Sequence, residues 1–329
     1  MLYYYALLYY NINLKQINTM KKIHLISTLI GLLAFSTISK ADLKVVTSIK
    51  PIHSLASYIM DGVGSPGLIV DGYNSPHSFQ LKPSHAKMLE QADIIFWIGE
   101  DLENFLEKPL DTIAKKAEKI ELLEIKGIKK LKFRERNIFE EHDDHGHDAK
   151  KEEHDNHEGH GHGEYDPHIW LDTMNAKAML NEMAEHLIEN DPKNEAKYKS
   201  NLDKALKDID KLTIEVMTEL NNSVSSIVFH DAYQYFEKRF NVNVLGAFTV
   251  NTDVMPGAEQ LAEIREIIEH DKVACVFSEP QFNPDIINAV AKDMKIKTGV
   301  LDPLGATLDS GKDLYFKLIR NMSASFKGC

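Results

Sequence analysis

The chain has 329 residues, of which 43 % are hydrophobic and 27 % charged, and its formal net charge is −12. This composition is that of a globular protein, long enough for one large domain or two lobes. The negative charge argues against a nucleic-acid partner, because nucleic-acid-binding proteins carry basic surfaces, and it suits a cationic ligand.

The first 41 residues have the pattern of an export signal. A positively charged start at residues 20–22 precedes an apolar stretch at 23–38, and small residues at 39 and 41 form a cleavage site. A membrane-spanning helix needs about 20 apolar residues, so this stretch is short for an anchor. We therefore predict that residues 1–41 are leader and signal peptide, and that the mature protein is periplasmic and does not span the membrane. Met20 is the predicted start, because nothing before it fits a signal; the alternative is a long leader from Met1.

Short apolar strands then alternate with helices, which is typical of a parallel α/β sheet. The predicted strands are Leu43–Ser48, Leu68–Val70, Ile94–Ile98 and Ile120–Ile125, and the predicted helices are Pro51–Met60, Ser84–Gln91, Asp101–Lys116 and Met174–Glu189. We assign residues 42–190 to an amino-terminal lobe.

An acidic, histidine-rich tract interrupts this lobe at residues 140–164. Its seven histidines are His142, His145, His147, His154, His157, His160 and His162. They alternate with Asp, Glu and Gly, and the tract has no large apolar residue to bury, which predicts disorder. Its density of imidazole and carboxylate groups predicts weak, accessory metal binding. The alternative is a solvated linker.

A long helix and a second α/β stretch follow. Apolar residues recur every three or four positions from Tyr198 to Val216, which predicts a helix of about 28 residues, or roughly 42 Å. We assign residues 191–222 to this stiff connection and residues 223–329 to a carboxy-terminal lobe. The predicted strands of that lobe are Ile227–Phe229, Val242–Leu245, Ala274–Ser278 and Thr298–Leu301, and its predicted helices are Ala232–Arg239, Glu259–His270, Asp285–Asp293 and Lys312–Phe326. The predicted fold is therefore α/β, with two parallel-sheet lobes joined by a long rigid helix.

Four residues outside the tract could converge between the lobes, where ligands of such sheets bind. His77 follows a strand through a loop, His168 precedes a helix, and His230 and Asp302 lie at strand ends, two residues on each side of the long helix. Three imidazoles with a carboxylate or a water match the tetrahedral coordination of zinc. For each residue alone, a hydrogen-bonded loop position is the alternative.

The remaining ionisable and sulfur-containing candidates have plainer interpretations. His53, His85, His186 and His270 lie on predicted helices, and we interpret them as ordinary surface or structural residues. Cys275 and Cys329 would reach an oxidising compartment after export, where a pair is expected to be bridged. In the chain-entropy model such a bridge stabilises the fold by on the order of 4 kcal/mol.

Five passages of the chain resemble one family of receptors. They are Ser48–Pro51, Ser75–Ser84, Phe229–Phe236, Val276–Phe282 and Leu301–Gly305. Together they resemble the periplasmic zinc-binding proteins of high-affinity zinc ABC transporters, within the cluster 9 metal-binding solute receptors. The resemblance covers essentially the whole mature chain, and an acidic histidine-rich tract is typical of the zinc members.

The resemblance implies a metal held between two lobes. His77, His168 and His230 match the three zinc histidines of the family, and Asp302 matches the acidic position that is the fourth ligand in some relatives. Some zinc members have a glutamate where this chain has Pro76, so the fourth ligand is either Asp302 or water. Manganese receptors of the family usually offer a carboxylate in place of His230, and a nitrogen donor there favours zinc.

The resemblance also bears on the cysteines. Cys275 matches a half-cystine of the family, and Cys329 lies a few positions from the usual place of its partner.

We therefore predict a receptor, not an enzyme, that captures Zn²⁺ and delivers it to an ABC permease and its ATPase. We expect it to act as a monomer. Within the family the alternative is a receptor for manganese or for divalent metals broadly. Outside the family the alternative is an exported zinc hydrolase with Glu279 or Asp302 as its base. No HExxH motif or nucleophile elbow in the sequence supports the hydrolase.

Overall fold

The computed structural model describes residues 42–134, 136–139, 163–221, 224–252 and 254–329. The predicted leader at residues 1–41 lies outside the described residues, and so do all seven histidines of the tract. Within the described ranges, no helix is long and apolar enough to cross a membrane.

Two parallel sheets organise the fold, as the strand–helix alternation predicts. The strands of the first sheet are β1 (Val45–Ile49), β2 (Gly67–Val70), β3 (Ile94–Trp97) and β4 (Glu118–Glu121), in the order β2-β1-β3-β4. The strands of the second sheet are β5 (Ser226–His230), β6 (Val244–Thr249), β7 (Cys275–Ser278) and β8 (Lys297–Val300), in the order β6-β5-β7-β8. Both lobes therefore repeat one topology, and the predicted fold class is confirmed.

Helices connect successive strands and cover the sheets. In the described part of the chain they are α1 (Lys50–Ile59), α2 (Pro83–Glu90), α3 (Glu100–Thr112), α4 (Thr173–Asn190), α5 (Glu195–Glu219), α6 (Gln234–Phe240), α7 (Ala258–His270), α8 (Asp285–Met294) and α9 (Leu314–Gly328). Short 3₁₀ turns occur at Pro76–Ser78, Ile169–Leu171 and Pro192–Asn194.

The long helix α5 has 25 residues, slightly fewer than the spacing predicts. The chain bends at Asp191 and forms a separate 3₁₀ turn at Pro192–Asn194 before α5 begins. The predicted apolar stripe from Tyr198 to Val216 is buried except for the partly buried Leu202, and α5 packs against α1, α4 and α9. Because α1 and α4 belong to the first lobe and α9 to the second, α5 packs against both.

Helix α9 also reaches the first lobe directly. The Tyr315 backbone N–H donates to Ser54 Oγ at 2.9 Å, and the Tyr315 hydroxyl donates to the Trp170 carbonyl at 2.8 Å. One hydrophobic core accordingly includes residues of both sheets, and a second, smaller core fills the far side of the second sheet. The lobes therefore share a packed interior.

A segment from the first lobe lies along β6 of the second. The Phe139 backbone N–H donates to the Leu245 carbonyl, and the Ala247 backbone N–H donates to the Asn137 carbonyl, both at 2.8 Å. Gly246 permits this approach, since a Cβ there would lie 2.6 Å from the Asn137 carbonyl oxygen. Residues 136–139 therefore extend the second sheet just before the histidine tract.

The predicted disulfide between Cys275 and Cys329 is confirmed, with Cα atoms 5.7 Å apart. It joins the first residue of β7 to the residue that follows α9. The bridge thereby fixes the carboxyl end of the chain to the second sheet.

Candidate metal centre

Each of the three predicted zinc histidines lies where regular structure begins or ends. His77 lies in the 3₁₀ turn after β2, and its backbone N–H donates to Ser75 Oγ at 3.3 Å. His168 directly precedes the 3₁₀ turn that leads into α4, and His230 is the last residue of β5. The carboxyl ends of parallel strands in two sheets thus supply His77 and His230.

The three imidazoles converge on one point. Their ring centroids lie 5.5 Å (His77 to His168), 5.7 Å (His77 to His230) and 5.2 Å (His168 to His230) apart. The Nε2 atoms of His168 and His230 are separated by 3.3 Å. Two nitrogens bound tetrahedrally at about 2.0–2.1 Å from a zinc ion lie about 3.3–3.4 Å apart. The spacing therefore matches one edge of a zinc coordination tetrahedron.

Two buried carboxylates orient these rings. Asp166 Oδ1 lies 2.7 Å from Nδ1 of His168, and Glu279 Oε1 lies 2.7 Å from Nδ1 of His230. A carboxylate acceptor holds the ring proton on Nδ1 and leaves the Nε2 lone pair for a metal. Zinc proteins fix their histidine ligands in this way: a carboxylate accepts from one ring nitrogen, and the other ring nitrogen binds the metal.

The electrostatics of the two buried histidines differ. Burial and the neighbouring His230 hold the pKa of His168 well below its usual value, so this ring is neutral and able to coordinate. Burial also opposes ionisation of His230, but the carboxylates of Glu279, Asp231 and Asp166 together outweigh burial and raise the pKa of His230 above its usual value. Burial raises the pKa of Asp166 to about 7. These directions describe the protein without its metal ion, whose charge would favour neutral imidazoles and ionised carboxylates.

The cavity between the rings encloses about 10 Å³. Its walls are Ser75, Pro76, His77, His168, Trp170, His230, Glu279, Gln281, Phe282, Pro303 and Leu304. A space of this size holds an ion or about one water molecule and admits no organic substrate. Trp170, Phe282 and Leu304 form an apolar part of the walls that limits contact with bulk water, which strengthens the attraction between a cation and its ligands.

The structure does not bring Asp302 into this group. Asp302 Oδ1 accepts hydrogen bonds from Gln281 Nε2 at 2.9 Å and from the Leu304 backbone N–H at 3.3 Å. Among the described residues, the cluster of potential ligands at this point consists of His77, His168 and His230.

Reasoning from the sequence missed the two orienting carboxylates. Asp166 had a local signal, since an aspartate two residues before a histidine can accept from both its backbone and its ring, as it does here. Glu279 follows β7, a different strand from the one that carries His230, so no local signal could have paired the two.

The comparisons with known proteins agree with this geometry. The chain matches, over residues 45–329, the model of the family described as ZnuA, zinc-uptake complex component A, periplasmic. The chain belongs to this family. The ZnuA family consists of solute-binding receptors and not of enzymes, which confirms the predicted family and the prediction that the protein is not an enzyme.

Individual ZnuA relatives cover nearly the whole chain. The high-affinity zinc uptake system protein ZnuA of Brucella abortus (strain 2308) is 44 % identical over 304 residues, which are 87 % of this chain and 91 % of that protein. The protein of the same name from Yersinia pestis is 36 % identical over 309 residues, 91 % and 95 % of the two chains. A crystal structure of a zinc-bound ZnuA lacking its residues 138–173 shares the fold, with a TM-score of 0.70 at 22 % identity over 87 % of this chain and 96 % of the other.

Proposed function

We propose that the protein captures Zn²⁺ in the periplasm and delivers it to an ABC permease, driven by an ATPase, for import. The observation that carries the proposal is the 3.3 Å separation of the Nε2 atoms of His168 and His230, each ring oriented by a buried carboxylate. His77 supplies the third nitrogen. The family match and the names of its high-affinity zinc uptake members support the same cargo.

Zinc is favoured over manganese by the donor atoms. Three imidazole nitrogens suit Zn²⁺, whereas Mn²⁺ prefers carboxylate and water oxygens. We expect Zn²⁺ to displace Mn²⁺ fully in a competition titration of the purified mature protein. Tighter binding of Mn²⁺ would contradict the proposal and favour the manganese alternative.

A single substitution sharpens this test. His230→Asp places an oxygen donor in the cluster and should shift the preference toward Mn²⁺ by at least tenfold. The matched control is His270→Asp, on an exposed histidine of α7 outside the cavity. Equal metal preferences in both variants would contradict a role of His230 as a ligand.

For the fourth position we propose a water molecule. Asp302 Oδ1 accepts from Gln281 and Leu304, Asp302 Oδ2 has no hydrogen-bond partner among the described residues, and Asp302 does not line the cavity. Asp302→Asn keeps an acceptor at this position and should change the dissociation constant for zinc less than about threefold, about 0.65 kcal/mol. A loss of a hundredfold or more would assign Asp302 as the fourth ligand.

The histidine tract is proposed as an accessory that binds zinc weakly and feeds or shields the main site. Calorimetry on the mature protein with residues 142–162 deleted should retain one tight equivalent of zinc and lose the weaker ones. Disappearance of tight binding would show that the tract forms part of the main site. We further propose that the receptor is a monomer, which sedimentation of the zinc-loaded mature protein checks.

A further inference from the structure

A second cluster of metal-binding side chains lies in the first lobe, away from the three histidines. It joins Glu118, the first residue of β4, to His186 and Glu189 near the end of α4. One ligand atom from each of the three residues lies within 4.8 Å of the others. From the sequence we interpreted His186 as an ordinary surface or structural residue on a helix, whereas the structure places its ring between carboxylates.

The two ring nitrogens of His186 have unequal partners. Nε2 makes a hydrogen bond of 3.2 Å with Glu182 Oε1, one turn earlier on α4, which places the ring proton on Nε2. Nδ1 is buried and lies 2.8 Å from Glu118 Oε1, but its direction does not allow a hydrogen bond. The Nδ1 lone pair lies in the direction that an N–H bond would take, so it points beside Oε1, toward a position where a cation would contact both atoms.

The Glu118 carboxylate is held in place for this contact. Its Oε2 accepts from Asn190 Nδ2 at 2.8 Å, which leaves Oε1 directed at the ring. Glu182 and His186 share an arrangement with Asp166 and His168 at the main site. In each pair a carboxylate hydrogen-bonds with one ring nitrogen, which leaves the other ring nitrogen for a metal.

We propose that Glu118, His186 and Glu189 form a second site for Zn²⁺, with Glu182 as a positioning residue. One nitrogen and two carboxylates make a harder donor set than three imidazoles, so this site discriminates less against other divalent cations. The side chain of Glu118 is 39 % exposed and that of His186 19 % exposed, so bound zinc exchanges readily with solvent.

The location makes the second site independent of the first. Glu118 begins β4, whereas His77 follows the carboxyl end of β2 in the same parallel sheet. The two sites therefore lie at opposite ends of the strands. Substitutions at one site should leave zinc binding at the other site unchanged. The proposal of a second site does not depend on the transport function.

The test uses the mature chain at full length with the seven tract histidines replaced by asparagine. One tight equivalent of zinc is loaded first, and a second is titrated by calorimetry and, as Co²⁺, by visible absorption. We expect one further, weaker equivalent in this background. His186→Gln and Glu189→Gln should each weaken it at least tenfold.

Two controls match these substitutions. Glu185→Gln makes the same charge change on α4 outside the cluster, and His270→Gln removes an exposed histidine of the other lobe. Both should retain the second equivalent, and all variants should retain the tight one, which also reports that they are folded. Absence of a second equivalent, or its persistence in His186→Gln, overturns the proposal and leaves His186 as a structural neighbour of two carboxylates.

Discussion

At the scale of single residues, buried carboxylates decide what the histidines can do. Asp166 and Glu279 each take the Nδ1 side of a ring, so that His168 and His230 present Nε2 to one small cavity. The charge of each carboxylate also makes the imidazole a better electron donor to a metal.

Glu279→Gln tests this orienting role. The amide oxygen can still accept from Nδ1 of His230, but without its negative charge it supports the ring more weakly. We expect zinc affinity to fall by about 10–100-fold, measured by competition with a chelating dye. Glu103→Gln, which makes the same substitution at a buried carboxylate outside the cavity, serves as the control. An unchanged affinity in Glu279→Gln would remove the carboxylate from the binding mechanism.

Glu103 predicts how stability depends on pH. Its side chain is buried, and Oε2 accepts from the backbone N–H groups of Ile98 and Gly99 at 2.9 and 3.0 Å. Burial nonetheless raises the pKa of Glu103 to about 7, above the usual 4.5. The folded state therefore holds this proton more tightly than the unfolded state, and the resulting stabilisation is full below pH 4.5 and is lost as pH rises through 7.

Glu103→Gln should remove this dependence, because an amide does not ionise and still accepts at Oε1. Urea unfolding at pH 5 and at pH 8 measures the effect. The free energy of unfolding of Glu103→Gln minus that of the parent should be larger at pH 8 than at pH 5, by up to about 3 kcal/mol. The exposed Glu107→Gln is the control. A parallel pH dependence in parent and Glu103→Gln would show that other groups cause it.

Sequence alone could predict that His77, His168 and His230 come together, because each lies beside a recognisable strand or helix boundary. It could not predict which atoms orient them, since the Glu279–His230 contact joins residues 49 positions apart. It also could not place Asp302, whose carboxylate is directed by hydrogen bonds to Gln281 and Leu304 that depend on the folded loop.

At the scale of elements, a lysine holds two functional loops together. Lys50 begins α1, and its buried Nζ donates to the carbonyls of Leu308 at 2.6 Å and Ala306 at 3.3 Å. The same Nζ lies 3.6 Å from Asp71, in the loop that leads to His77. The loop that it holds through Ala306 and Leu308 also supplies the cavity walls Pro303 and Leu304. Lys50 thus connects walls of the three-histidine cavity that come from different lobes.

Lys50→Met keeps the length of the side chain and removes its donors. The buried carbonyl of Ala306 and the partly buried carbonyl of Leu308 then lose their partner, which should lower the free energy of unfolding by about 1–3 kcal/mol. Zinc should also dissociate faster, because the wall formed by Pro303 and Leu304 is less firmly held; stopped-flow mixing with a chelator measures this. Lys44→Met, on an exposed residue before β1, should change neither quantity. Equal dissociation rates in parent and Lys50→Met would contradict the link between the loop and the site.

The bounds of a strand can differ from the sequence prediction, because hydrogen bonds to the neighbouring strand, and not residue composition, decide where the strand begins and ends. The prediction starts a strand at Ile120 and follows its apolar residues to Ile125, but β4 spans Glu118–Glu121. Parallel hydrogen bonding to Ile94–Trp97 of β3 defines this strand, and the buried Leu122 belongs to the turn beyond it. A hydrophobic run predicts which residues are buried. The end of the strand is set by its hydrogen bonds to the neighbouring strand.

At the scale of the whole molecule, the two lobes are joined by more than one connection. Helix α5 packs against both, α9 returns to hydrogen-bond with Ser54 and Trp170, and a disulfide fixes the end of α9 to β7. A shared core of this kind resists large rotation of one lobe against the other. Local rearrangement of the loops around the cavity, and not closure of the whole cleft, is therefore the motion we expect for loading and release.

The segment at residues 136–139 has a consequence for solubility. β6 is the outermost strand of its sheet, and an outermost strand with free N–H and C=O groups can pair with a second copy of the same protein and start aggregation. Gly246→Ala places a Cβ 2.6 Å from the Asn137 carbonyl and should displace the segment. Light scattering of concentrated variant should then show self-association, whereas Gly257→Ala, where a Cβ meets nothing within 4 Å, should stay dispersed. Four residues beside the histidine tract thus cover the β6 edge of the second sheet.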